Sequence, residues 1–195
     1  MKCLMCEKWS YQILCARCLS ALPLTPRYRI LLDSIKVYSF YRYEDVAFLM
    51  QSKYHLVGSR ILKLLSFKAA RHFFTQVDVS AFAHFPLSLV GLDDYPYGAY
   101  SHVGVIASIF ARNSRGGLRA YFGALKAHNN VKYAGTKLAF RQNNPKDFRL
   151  IRKIHNPTIV LIDDIITTGS SFMEAIKVLE GFQVLFCLAL CDARE

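Results

Sequence analysis

The chain reads as an α/β protein built on a mostly parallel sheet, and three features of the sequence predict it. First, apolar runs at 159–162 and 184–190 have the length and β-branched content of strands, and a helical pattern at 171–180 lies between them. Second, the earlier run ends in two adjacent acids, Asp163 and Asp164. A hydroxyl-rich loop, Thr167-Thr168-Gly169-Ser170-Ser171, then leads into the helix. Third, strand-like and helical stretches alternate upstream. That order gives a sheet covered on both faces, with ligands at the carboxyl ends of its strands.

At 195 residues, 53% of them apolar, the chain suffices for one sizeable core and a small appendage. This composition excludes a disordered chain. No apolar run is long enough to cross a bilayer, and the first residues lack the pattern of an export signal. The expectation is a cytoplasmic protein, with peripheral membrane contact left open.

The elements follow in order. Cys3-x2-Cys6-x8-Cys15-x2-Cys18 offers two thiolate pairs to one ion. Two disulfides are the alternative, but a reducing compartment favours metal. The expectation is a closed, structural zinc knuckle over 1–26, ahead of a domain over 27–195. Residues 35–40 read as a strand. Residues 44–51 and 59–74 read as helices, the second capped by Ser59. The loop 52–58 between them carries Lys53 and Gly58. A strand interrupted by Pro86 spans 81–92, and a polar turn follows at 93–98. Ser101 caps a helix reaching Arg112. Arg115-Gly116-Gly117 reads as a mobile hinge, 118–125 as a strand, and 133–142 as a short helix stopped before Pro145. Gly181 suits the exit of the helix over 171–180. Cys187 and Cys191 read as packed small hydrophobes.

Net charge is +11, and 112–155 carries most of it. Eleven Lys/Arg against the single Asp147 give that block +10. Arg112, Arg115, Arg119, Lys132, Lys137 and Arg141 are its candidate nucleic-acid contacts, with Tyr97, Tyr100, Tyr121, Phe122 and Tyr133 as stacking platforms. Core packing is the better expectation for Phe122. A bland solvated face or an anionic leaflet would fit the same charge.

The chemistry concentrates at 163–171. Backbone N–H groups around Gly169, the hydroxyls of Thr167, Thr168, Ser170 and Ser171, and a helix N-terminus can surround a phosphate. Asp163 and Asp164 repel phosphate. They suit ribose hydroxyls, or a magnesium-bound sugar diphosphate nearby. The Gly-Lys-[Ser/Thr] ending of a nucleotide-binding P-loop is absent, as are the repeated glycines of a dinucleotide loop.

The run from Val160 to Ser171 resembles the phosphoribosyl-pyrophosphate signature of type I phosphoribosyltransferases. Combined with the four cysteines, it resembles the ComF family of competence proteins over essentially the whole chain. Tyr133-Ala134-Gly135, Leu138, Arg141, Asn144-Pro145 and Phe148 also look like that family's stretch ahead of the loop. Two elements depart. Gly98-Ala99-Tyr100-Ser101-His102 stands where many relatives carry Arg-Gly-Phe-Asn-Gln, and Phe85-Pro86-Leu87-Ser88 stands for a Pro-Val-Pro element.

The resemblance implies a type I phosphoribosyltransferase-like fold, with Lys53 on the pyrophosphate side and magnesium accompanying the sugar diphosphate. It also implies handling of incoming single-stranded DNA at the inner membrane during natural transformation. A separate reading is a partner-binding protein that uses the knuckle as an adaptor for a helicase or DNA-uptake channel. The alternative is a working transferase of unknown acceptor. In it Asp163 and Asp164 position the ribose, and Lys53 or an arginine from 115–119 offsets the leaving group's charge. His55 and His102 adjoin candidate loops, for each of which a structural role is as fitting as a functional one. The other four histidines have no motif around them.

Overall fold

The computed structural model describes residues 1–79, 86–95, 100–131 and 144–194. The predicted helix at 133–142, together with Lys132, Tyr133, Lys137, Arg141 and Tyr97, lies outside the described residues. The order is α1 (Ala16–Ala21), β1 (Arg27–Leu31), β2 (Ile35–Arg42), α2 (Tyr43–Met50), a 3-10 turn (Gln51–Tyr54), α3 (Leu56–Gln76) and β3 (Leu87–Asp93). There follow α4 (His102–Asn113), β4 (Leu118–Ala127), β5 (Phe148–Leu150), β6 (Thr158–Ile166), α5 (Ser170–Val178) and β7 (Gln183–Asp192).

The seven strands form one sheet in the order β1-β2-β7-β6-β3-β4-β5. The five inner strands run parallel, while β1 and β5 pair antiparallel at the edges. The α/β architecture with a mostly parallel sheet is thus the one the sequence predicts. From β3 the chain moves outward to β4, and from β6 it moves the other way to β7. The order therefore reverses between β3 and β6, and their carboxyl ends flank the crevice where such sheets take ligands.

Alternate residues of the inner strands serve two cores, as the pleat demands. Val160, Ile162, Leu188 and Leu190 pack with Leu62, Leu65 and Phe73 of α3 and Phe110 of α4. Leu161, Cys187 and Ala189 face Phe172, Ala175 and Leu179 around α5. The cysteines of β7 are fully buried, as expected of packed small hydrophobes. Ile13, Leu14 and Leu22 of the knuckle join the first core. The Lys68 ammonium donates to the carbonyls of Leu19, Ser20 and Leu22 at 3.0, 3.3 and 2.6 Å, closing the exposed end of α1 onto α3.

Several local expectations change. Helix α3 starts at Leu56 with His55 as its N-cap, and the Ser59 hydroxyl donates to the Leu56 carbonyl from inside the first turn. Gly58 permits this: a Cβ there would lie 2.2 Å from the Ser52 carbonyl oxygen, so only glycine lets the Lys53 turn fold onto α3. The Arg115–Gly117 segment forms a hydrogen-bonded turn. Gly117 N–H donates to the Ser114 carbonyl at 3.0 Å, and Leu118 N–H to its hydroxyl at 2.9 Å. Phe122 is half-exposed on β4, so the core reading of that residue fails. Ser101 does cap α4, accepting from Gly104 N–H at 2.7 Å.

Candidate functional site

β6 delivers Asp163 and Asp164 to the crevice, and the chain then turns through Thr167-Thr168-Gly169 into α5. Gly169 adopts φ 84°, a left-handed conformation that glycine takes without a Cβ penalty. The turn encloses a concavity lined by Asp163, Ile165, Ile166 and the five residues Thr167 to Ser171, with Phe172 behind. Thr168 and Ser170 hydroxyls lie 2.7 Å apart. No acid occupies the first turn of α5, so backbone amides and hydroxyls give the mouth an anion-seeking polarity.

Beside this cradle a chain of charges crosses the crevice. The Lys53 ammonium donates to Asp164 Oδ2 at 2.5 Å, and His102 Nε2 stands 3.2 Å from the same oxygen. His102 also lies 3.5 Å from Asp94 Oδ2, while the Lys146 ammonium donates to Asp94 Oδ1 at 2.5 Å. Burial alone would raise the Asp164 pKa, but Lys53 and then His102 outweigh it and hold the carboxyl below the usual range. Asp163 goes the other way: burial, then the Asp164 charge, push it well up, with Lys146 only partly compensating. Adjacent carboxyls thus differ in character, one held ionised and one inclined to keep a proton. Burial opposes the charge on both lysines. Their acid partners override it and raise the pKa of each.

The surrounding residues fix these groups. Tyr100 OH donates to the Lys53 carbonyl at 2.6 Å, so this ring helps position the turn. Tyr54 sits edge-on to His102 at 6.1 Å, with the Lys53 ammonium 5.1 Å from its ring centroid. Asp93, raised in pKa chiefly by burial, accepts from Ser101 Oγ and from Gly123 N–H at 3.1 Å. The Glu174 carboxylate of α5 accepts from Lys146 N–H at 3.1 Å and Phe148 N–H at 3.4 Å, bracing the segment that leads from Lys146 into β5.

The structure therefore brings Lys53, Asp163, Asp164 and the 167–171 loop together, and adds His102, Asp94 and Lys146. Only His102 carried any weight in the sequence, because Asp94 read as part of a polar turn and Lys146 as part of the basic block. The Pro86-Leu87-Ser88 segment lies at the opposite edge: Ser88 Oγ donates to the Asn156 carbonyl, and Ser88 pairs with Ile159 at the start of β6. Arg115 and Arg119 also flank the start of β4, where Leu118 pairs with Leu87, and Arg112 ends α4 nearby. These three arginines are at the amino edge of the sheet, so neither Arg115 nor Arg119 can meet a leaving group at Asp164. Arg119 instead stacks on Tyr121 at 5.8 Å, and Tyr121 contacts His155 at 6.2 Å.

In the knuckle, the sulfurs of Cys3, Cys6, Cys15 and Cys18 all lie within 4.8 Å of one another, and Cys6 and Cys15 Sγ are 3.8 Å apart. Ligands at about 2.3 Å from a tetrahedral ion stand about 3.8 Å apart, so the cluster can hold zinc. Cys15 N–H points at Cys3 Sγ from 3.2 Å and lowers that thiol's pKa to about 6. The thiols of Cys15 and Cys6 push Cys18 up to about 12.

Comparison with solved structures finds a hypoxanthine phosphoribosyltransferase from Staphylococcus aureus in two crystal forms. The tetragonal form shows 17% identity and a TM-score of 0.43, and the orthorhombic form 16% and 0.40. Each match covers 67% of this chain and 64% of that one, so the chain spans just under two thirds of the length of the structures it matches. No protein-family model matches the chain, and no curated protein does. Among the described residues, no helix is long and apolar enough to cross a membrane.

Proposed function

We propose that this chain binds a phosphoribosyl-pyrophosphate-type sugar phosphate across the carboxyl ends of β3 and β6, and that it handles incoming single-stranded DNA in natural transformation. The observation that carries the first half is the amide- and hydroxyl-lined turn over 167–171, set directly beside Asp163 and Asp164 at the reversal of strand order. The 5-phosphate seats in the turn and the ribose hydroxyls reach the acids. Lys53 swings from Asp164 to the diphosphate, and Lys146 adds positive potential from the far side. The carboxylates of Asp94 and Asp164 are the hard oxygen donors that magnesium accepts, so the residues fit a magnesium-bound ligand.

The DNA half draws on the ComF resemblance and on the Arg119–Tyr121–His155 stack at the amino edge, with exposed Arg152 and Lys153 near it in sequence. The setting is the cytoplasmic face of the inner membrane, with peripheral attachment. The zinc-loaded knuckle, whose Trp9 and Tyr11 stand in solvent, acts as the adaptor toward a channel or helicase.

Anisotropy of a labelled single-stranded oligonucleotide across a salt series tests the DNA half. Binding that weakens steeply with salt supports it. Phosphoribosyl pyrophosphate with magnesium should leave that binding intact, because strand and sugar occupy opposite edges of the sheet. No binding at low salt overturns the DNA role.

The second reading is a magnesium-dependent phosphoribosyltransferase of unknown acceptor, favoured by the ionised Asp164 beside the cradle, where positive charge would develop on the ribose. Release of pyrophosphate with a defined acceptor supports it. No release across purines, pyrimidines and small amines counts against it.

A further inference from the structure

We infer that Arg29, on the edge strand β1, is the positioning residue that turns the Thr168 amide into the phosphate cradle. The inference rests on the sugar-phosphate reading above and names what holds that site in shape. Arg29 Nη1 donates to the Thr167 carbonyl, while Nη2 and Nε (the latter at 3.2 Å) grip the two oxygens of Asp192 at the end of β7. The Asp192 side chain is fully buried and also takes Arg194 at 2.7 Å.

A trans peptide directs its C=O and the following N–H to opposite sides. Every peptide bond among the described residues is trans. Holding the Thr167 carbonyl toward Arg29 therefore sends the Thr168 N–H the other way. Arg29 is not among the residues lining the concavity, whereas Thr168 is. The amide accordingly faces the space where phosphate sits.

Leu31 completes the support. Two residues beyond Arg29, it shares the same face of β1, and a Cβ on Gly169 would lie 2.8 Å from its Cδ2. Arg29 and Leu31 together form a floor under the turn, one fixing its carbonyl and the other its bare glycine. Two arginines on one carboxylate also leave this floor net positive, which favours an anion above it.

Lysine cannot do the same work, because its single ammonium cannot grip both Asp192 oxygens and the Thr167 carbonyl in one plane. The test uses the full-length, zinc-loaded chain and its Arg29→Ala and Arg29→Lys variants. Calorimetry measures binding of inorganic phosphate and of magnesium phosphoribosyl pyrophosphate, and the ¹⁵N-resolved Thr168 amide is followed during the phosphate titration. Wild type should bind the sugar diphosphate and show a phosphate-dependent Thr168 shift. Both variants should lose about tenfold or more in affinity, the cost of one charge-assisted hydrogen bond, together with that shift. Arg29→Lys keeps the charge and serves as the folded variant if Arg29→Ala unfolds. A folded variant with wild-type affinity and an unchanged Thr168 response overturns the role of Arg29 and leaves the sugar-phosphate reading standing. A wild type that takes up neither ligand overturns that reading, and this role with it.

Discussion

Lys53 and Asp164 are 111 residues apart in sequence, yet ammonium and carboxylate meet at 2.5 Å with side chains only 12% and 7% exposed. Removing one partner leaves the other charge buried. Lys53→Met and Asp164→Asn should each cost about 3 kcal/mol in denaturant unfolding, and the double variant less than their sum by at least about 1 kcal/mol. Strict additivity would show that the two groups are not coupled.

The depressed pKa of Asp164 fixes the acid limb of stability. Its contribution is fully present above the unfolded value of about 3.9 and is lost as pH falls through the lower folded value. Lys53→Met should move that loss to higher pH, read as an earlier acid midpoint by circular dichroism.

Asp163 carries the opposite sign, because its folded pKa lies above the unfolded one. Its contribution is complete below about 3.9 and is lost as pH rises through the folded value. Asp163→Asn should therefore unfold later than wild type at pH 8, by on the order of 1 kcal/mol, with the gap closing on acidification. The same variant should bind sugar phosphate more weakly, which separates the needs of the site from those of the fold. Urea melts at pH 8 and pH 5 give the comparison.

Gly169→Ala places a Cβ at φ 84° and against Leu31. It should cost about 1–3 kcal/mol by thermal melting and weaken phosphate binding more than any single hydroxyl deletion in the loop.

Metal analysis should find one zinc per chain, and Cys6→Ser should lose it. Because Ile13, Leu14 and Leu22 belong to the main core, that loss should lower the melting temperature of the whole protein. A melting temperature unchanged by chelation would show that the knuckle's core contacts form without metal.

The cradle was legible because every part of it is local: one strand, one turn and one helix start fall within fourteen consecutive residues, 158–171. The knuckle was legible for the same reason, since two Cys-x-x-Cys turns announce a ligand set by spacing alone. The charge chain was not, because Lys53, Asp94, His102, Lys146 and Asp164 come from five separate segments that only the sheet order brings together. The β1–β2 hairpin gave only a weak turn signal. Leu32 and Asp33 take positive φ without a glycine, and Asp33-Ser34 alone is a common pair in loops of every kind. Arg29 looked like any basic residue until β1 was laid beneath the loop.

β7 comes after every other strand in the sequence yet lies between β2 and β6. Until it leaves the ribosome, both neighbours present open hydrogen-bonding edges, and Asp192 has not reached Arg29. The Thr167–Ser171 turn therefore gains its Arg29 support in the same closing event as the sheet. A chain lacking residues 183–192 would leave the facing edges of β2 and β6 unpaired and Arg29 without its Asp192 partner.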